Sequence, residues 1–283
     1  MNTYKVNSKI NLADLHTKEI NVNAKKELKK IRKEISKLQD KMYAHGKYSM
    51  LICLQGMDTS GKDSLIREVF KDVNANGVSV HSFKVPTETE LKHDFLWRHY
   101  IVLPERGKIA VFNRTHYENV LVTRVHKNYI FGENIPNVKT ETDLNDAFYH
   151  NRMEAIINFE NHIAANGTII LKFFLNLSKD EQKNRLLRRL NLPEKNWKFS
   201  AGDLKERKHW DKYMFCYEDL LNRTSKEYAP WYIIPADEKA TARLLVAKTI
   251  LKTLAKYEDM QYPTINEETK ANISVYKEEL NNE

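Results

Sequence analysis

A chain of 283 residues with 41% apolar content can bury one large core, or one domain with appendages. It has no apolar run near the ~20 residues of a membrane-spanning helix, and its two distant cysteines, Cys53 and Cys216, supply neither a disulfide framework nor a zinc knuckle. The formal charge of +8 is unevenly placed and points to a polyanionic partner.

Residues 1–48 carry 12 Lys/Arg against 5 Asp/Glu, so 1–47 reads as a basic helical arm. Leu28, Ile31, Ile35, Leu38 and Met42 form a helical stripe, with Lys29, Lys30, Lys33 and Lys37 turned to water. The stripe suits packing on the chain's own core and a homodimer or homotetramer interface equally. The opening residues Met1 to Lys5 show no apolar leader, and with two free thiols a cytoplasmic setting is the expectation.

Met50 to Leu54 predicts a buried strand, Ser49–Gln55, running into Gln55-Gly56-Met57-Asp58-Thr59-Ser60-Gly61-Lys62-Asp63-Ser64. Leu65, Ile66, Val69 and Phe70 then recur at helical spacing, predicting a helix over Asp63–Val73. Strand, Gly-x-x-x-x-Gly-Lys and helix together make a phosphate loop. Its backbone amides converge on an anion at a helix N-terminus, and Lys62 adds a full charge. The usual Ser or Thr after the lysine is replaced by Asp63, and Asp58 puts a second carboxylate inside the loop. A carboxylate in a phosphate cradle is repelled by its ligand unless a cation intervenes. Asp58 is therefore a candidate magnesium ligand or acceptor-orienting group. Asp63 is either a second such group or an acid complementing the helix dipole.

Further strands are expected at Val78–Val85, Lys108–Phe112, Thr168–Leu177 and Trp231–Pro235. Helices are expected at Thr89–Leu103, Asp143–Asn166, Lys179–Leu190, Asp203–Leu221 and Lys239–Tyr257. Strands alternating with long crossovers predict an α/β fold, a five-stranded parallel sheet covered on both faces. We divide the chain into the arm, a core at 48–257 and an acidic tail at 258–283.

In such sheets ligands bind beyond the carboxyl ends of the strands. The stretch Val111-Phe112-Asn113-Arg114-Thr115-His116-Tyr117-Glu118-Asn119 should meet the phosphate loop there. Arg114 would grip a phosphate, Glu118 would hold magnesium or touch the acceptor, and Arg124 would look back into the cleft. His116 and His126 lack partners for a metal site, and His116 is expected to bond substrate or scaffold. Residues 179–212 carry 11 Lys/Arg against 6 Asp/Glu, with Arg185, Arg188 and Arg189 before Pro193 and Gly202. This reads as a hinged basic lid over 185–212.

Gly56-Met-Asp58-Thr-Ser-Gly61-Lys62-Asp63, Phe112-Asn113-Arg114-Thr-His-Tyr117-Glu118, Trp197-Lys198-Phe-Ser200-x-x-Asp203-x-x-x-Arg207 and Pro230-Trp231-Tyr-Ile-Ile-Pro235-Ala-Asp237 together resemble the polyphosphate kinase 2 family, over about residues 30–255. The resemblance implies a P-loop kinase fold similar to thymidylate kinase, with a helical lid. It also implies reversible magnesium-dependent phosphoryl transfer between inorganic polyphosphate and nucleotides. Glu118 resembles the class III branch, which takes AMP to ADP and ADP to ATP. Guanine nucleotides are further candidate acceptors, and a homo-oligomer is expected. Near Ala240 the chain departs from the pattern, which leads us to expect a bulky Trp or Arg there.

The catalytic set expected is Asp58, Lys62, Arg114 and Glu118, with Asp58 and Glu118 holding Mg2+. Phosphate contacts are expected from Gly56, Met57, Thr59, Ser60, Gly61, Asp63, Ser64, Arg67, Arg124, Arg185, Arg189, Lys198 and Arg207. Nucleotide contacts are expected from Lys84, Arg98, Asn113 and Tyr117. An ATP-dependent kinase of the thymidylate type shares the fold and differs in its donor. A nucleic-acid binder accounts for the charge alone and leaves the paired carboxylates unexplained. A polyphosphate-binding scaffold leaves Glu118 idle. Neither nucleic acid nor a membrane is therefore an expected partner.

Overall fold

The computed structural model describes residues 4–283, so the first three residues of the arm lie outside it. In chain order the helices are α1 (Ala24–His45), α2 (Lys62–Val69), α3 (Glu88–Leu91), α4 (Trp97–Tyr100), α5 (Glu118–Val125), α6 (Asp146–Ala165), α7 (Lys179–Asn191), α8 (Ala201–Lys208), α9 (Trp210–Thr224), α10 (Lys239–Leu254) and α11 (Glu267–Asn281). The strands are β1 (Ser49–Gln55), β2 (Val78–Ser82), β3 (Ile109–Asn113), β4 (Thr168–Asn176) and β5 (Trp231–Pro235).

All five strands form one parallel sheet in the order β2-β3-β1-β4-β5. β1 is buried along its whole length between β3 and β4, which is why it reads as an uninterrupted apolar run. On one face Met50, Ile52 and Leu54 join Leu65, Val69, Val246 and Ile250. On the other, Leu51 and Cys53 join Phe112, Phe159 and Ile163. Both cysteines are free and buried.

α1 packs its predicted stripe, Leu28, Ile35 and Met42, into the same core as α10, with Lys248 bonding Glu27 at the seam. The residues before α1 are strapped across the far edge of the sheet. Val6 N donates to the Trp231 carbonyl, and Thr17 Oγ1 donates to Asp237 Oδ2 at 2.8 Å. Among the described residues no helix is long and apolar enough to cross a membrane. α11 has no buried residue.

Two expected helices are broken. Thr89–Leu103 becomes α3 and α4, because Asp94 Oδ1 takes the Leu96 amide in a local turn that competes with the helix. Asp203–Leu221 becomes α8 and α9, parted at His209.

Candidate active site

β1 delivers the phosphate loop at the carboxyl edge of the sheet. Gly56 stands at φ +149°, and a Cβ there would meet the Leu175 carbonyl oxygen at 3.0 Å, so the loop can pass β4 only without a side chain. Gly61, at φ +106°, turns the chain into α2. Thr59 is also left-handed, at φ +64°, a conformation that costs a residue with a Cβ about 1 kcal/mol. Its compensation is external. Arg185, buried at 6% exposure, donates through Nη1 to the carbonyls of Thr59 and Ser60, and through Nη2 to those of Ala236 and Asp237. Its Nε bonds Glu181, so all five guanidinium protons are used. From the sequence Arg185 is expected to contact phosphate. The geometry corrects this, because no donor is left for it and the side chain instead holds the loop's shape.

Lys62 curls over the loop and donates to the Gly56 carbonyl at 2.6 Å. Burial, and then the nearby Arg114 guanidinium, push its ammonium down to about 8, against the pull of Asp58, Glu118 and Asp63. Arg114 follows β3 in a left-handed turn, φ +57°. It donates to Asp58 Oδ1 at 2.6 Å and lies 3.7 Å from Glu118 Oε2. Burial alone would lower its pKa, but Glu118 and Asp58 outweigh it and raise it. Asn113 Nδ2 donates to Asp63 at 2.6 Å, leaving its buried Oδ1 without a partner. Gln182 on α7 reaches the Asp58 carbonyl at 3.0 Å.

These groups open onto a cleft of about 550 Å³ lined by ten lysines and arginines against three carboxylates. No apolar or aromatic side chain lines it. The expected residues Asp58, Thr59, Ser60, Gly61, Lys62, Asp63, Ser64, Arg67, Asn113, Arg114, Arg185, Arg189 and Lys198 all face it. Arg188, Lys195, Asp203, Lys239 and Arg243 line it as well and were absent from the expected set. Lys239 and Arg243 were legible as cations four apart on the helix after the last strand, where they share one face. Burial, then Arg185 and Arg188, lower Lys239 to about 8. The departure at Ala240 lies between them, half-buried against the core. Glu118 opens α5 beside Arg114 and is partly exposed.

Several expectations are corrected. Arg124 turns away from the cleft to Asp219 and Asp146 and stacks on Tyr149 and Phe215. Arg207 bonds the Lys179 carbonyl and Gln182, tying α8 to the start of α7. Tyr117 is fully buried, with its hydroxyl on Glu160, and has no surface to offer a nucleotide. Met57 is a core residue, so its side chain is unavailable to phosphate. Gly56 is buried and absent from the lining, and its carbonyl is held by Lys62. Lys84 and Arg98, expected at the nucleotide rather than at polyphosphate, stand beside β2 outside the basic cleft, with Arg98 donating to the Lys84 carbonyl and covering Phe83. His116, expected on substrate or scaffold, bonds Glu160 and so belongs to the scaffold. In the lid, Arg189 is held by Asp203 at 2.8 Å and by the Lys198 carbonyl. His126 and Tyr213 both reach Glu206, docking α8 on the body.

A family model described as Polyphosphate kinase 2 matches residues 19–262. The chain belongs to the Polyphosphate kinase 2 family. Within it, the chain is 50% identical over 229 residues to an ADP-polyphosphate phosphotransferase of Rhodopseudomonas palustris, covering 81% of this chain and 78% of the relative. It is 46% identical over 233 residues to an AMP/ADP-polyphosphate phosphotransferase of Meiothermus ruber, covering 82% and 81%. The crystal structure of a polyphosphate kinase 2 from Arthrobacter aurescens superposes with a TM-score of 0.88 at 35% identity, over 98% of this chain and 95% of that one. The sheet order, phosphate loop and flanking helices described above are thus this family's form of the P-loop kinase fold.

Proposed function

We propose that the chain catalyses reversible transfer of the terminal phosphoryl group of inorganic polyphosphate to AMP and ADP, giving ADP and ATP. The observation that carries the reading is the composition of the cleft: ten cations and not one apolar or aromatic side chain beside the phosphate loop. A nucleoside triphosphate donor needs a surface for its base, and this cleft suits a donor that is phosphate throughout. That disfavours the ATP-dependent kinase. The names of the Rhodopseudomonas and Meiothermus relatives support the same donor and acceptors.

Lys62 and the loop amides hold the donor's terminal phosphoryl group, with Arg114 over it. The acceptor's terminal phosphate has a second ionisation near about 6 and is anionic at neutral pH, so no strong base is required. Positioning and charge neutralisation lower the barrier. Donor and product bonds are both phosphoanhydrides, which makes the transfer reversible.

Mg2+ fits the carboxylates present. Asp58 lines the cleft and Glu118 stands 3.7 Å from the cleft residue Arg114; both are hard oxygen donors, and among the described residues no group of three His, Cys, Asp or Glu forms a complete protein cage. A site of one or two carboxylates completed by substrate phosphates is the usual habit of magnesium. When bound there it would neutralise phosphate charge. Lys84, Arg98 and Asn113 remain candidates for the acceptor nucleotide, guanine nucleotides are further candidate acceptors, and a homodimer or homotetramer is the proposed assembly.

The test is magnesium-dependent formation of ADP and ATP from AMP with long-chain polyphosphate as the sole donor. Both products are expected. ATP from ADP with none from AMP would restrict the acceptor to diphosphates. Turnover only with a nucleoside triphosphate donor would overturn the reading.

A further inference from the structure

Beneath the turn that carries Arg114 and Glu118 lies a buried ionic network that touches neither the cleft nor solvent. Glu160 on α6 and Lys172 on β4 are both fully buried and pair at 2.6 Å. The second oxygen of Glu160 accepts from the Tyr117 hydroxyl at 2.8 Å and lies 3.0 Å from His116 Nε2. The other two protons of Lys172 go to the Tyr117 hydroxyl oxygen and the Thr224 carbonyl, each at 2.8 Å. The ammonium is thereby saturated with three acceptors.

The residues this pair grips are consecutive, and they lie between the two groups that matter. His116 and Tyr117 point into the core, while Arg114 and Glu118 on either side of them meet at 3.7 Å by the phosphate loop. The turn is left-handed at Arg114, a conformation that persists only where its surroundings over-determine it. Thr115 contributes by accepting from Gln55 and the Tyr117 amide. Stability gives little reason for the ion pair itself, since well-packed apolar residues of similar volume do as well or better at a buried site.

We propose that Glu160 and Lys172 are positioning residues for phosphoryl transfer: by gripping His116 and Tyr117 from the core side, they fix the turn that holds Arg114 and Glu118 at the phosphate. This rests on the catalytic reading of Arg114 and Glu118 given above.

Two variants test it, the paired Glu160→Gln/Lys172→Met and the near-isosteric Tyr117→Phe. Each is measured for kcat and KM with polyphosphate and ADP, for thermal midpoint, and again in an Arg114→Ala background. For the paired variant kcat should fall about tenfold or more with KM within about threefold, while the midpoint holds within a few degrees. Tyr117→Phe should show a smaller loss of the same kind. In the Arg114→Ala background the further loss should be clearly smaller than in the wild-type background, because part of the network's effect passes through that side chain and only the part through Glu118 remains. Wild-type kcat in both variants would overturn the proposal. So would a loss fully additive with Arg114→Ala, or one accounted for by the unfolded fraction. If the paired variant does not fold, Tyr117→Phe decides by the same criteria. Wild-type turnover in Arg114→Ala alone would strike instead at the functional reading.

Discussion

Arg114 donates to Asp58 across 2.6 Å, so a guanidinium from the end of β3 and a carboxylate inside the phosphate loop hold each other over the proposed site of transfer. Each neutralises charge that would otherwise oppose the other's role. Asp58→Asn keeps the volume and removes the charge. Its kcat should fall by about 10² or more, the scale of losing a preorganised electrostatic group, with circular dichroism unchanged. Turnover close to wild type would remove Asp58 from the machinery.

Arg185 should behave differently. It touches carbonyls of the loop and of the residues after β5, so its loss is felt first in stability. Arg185→Lys has too few donors for four carbonyls and should cost about 2–4 kcal/mol, since buried acceptors are left unpaired. Urea unfolding measures this. A change below about 0.5 kcal/mol would mean that the loop holds itself.

Lys62 and Lys239 are both lowered to about 8, chiefly by burial. A lysine carries its charge below its pKa and loses it above. The kcat/KM for polyphosphate should therefore fall as pH rises through about 8, since kcat/KM reports the free enzyme. Bound phosphate favours the charged form, so the limb in kcat should lie at higher pH. Lys239→Arg should remove part of the kcat/KM limb. A flat profile from pH 7 to 10 would show that both lysines stay charged.

Lys239 and Arg243 line the cleft and have no carboxylate partner among the described residues. Lys239→Ala and Arg243→Ala should raise KM for polyphosphate about 3- to 10-fold at low salt and less at high salt, because the contact is screened. The KM for ADP should hardly move. An equal rise for both substrates would place these cations on a shared site.

Arg124, held by Asp219 and Asp146, should not contribute to phosphate affinity. Arg124→Met should keep the polyphosphate KM within about twofold, the effect of a group outside the site. A tenfold rise would return it to the cleft.

All five strands were legible to within about three residues, because a parallel sheet buried on both faces writes itself as apolar runs. The phosphate loop was equally plain, since Gly56 and Gly61 answer to backbone needs that no other residue meets as well. The breaks at Asp94 and His209 were not legible, because helical preference is modest there, and at Asp94 a local side-chain bond outcompetes it.

The sequence by itself determined the sheet, the phosphate loop and a basic helical segment after β4, all of which follow from local pattern and composition. Only the tertiary structure decided what each cation does. Arg185 and Arg124 are alike in a sequence to Arg188 and Arg243, yet Arg185 spends all five protons on protein oxygens and Arg124 is held by two carboxylates, while Arg188 and Arg243 line the cleft. A guanidinium has five donors, and whether any remain for phosphate depends on neighbours from distant parts of the chain. Tyr117 shows the same limit: it sits one residue from Glu118, and its burial against Glu160 and Lys172 is set by α6 and β4 packing behind it.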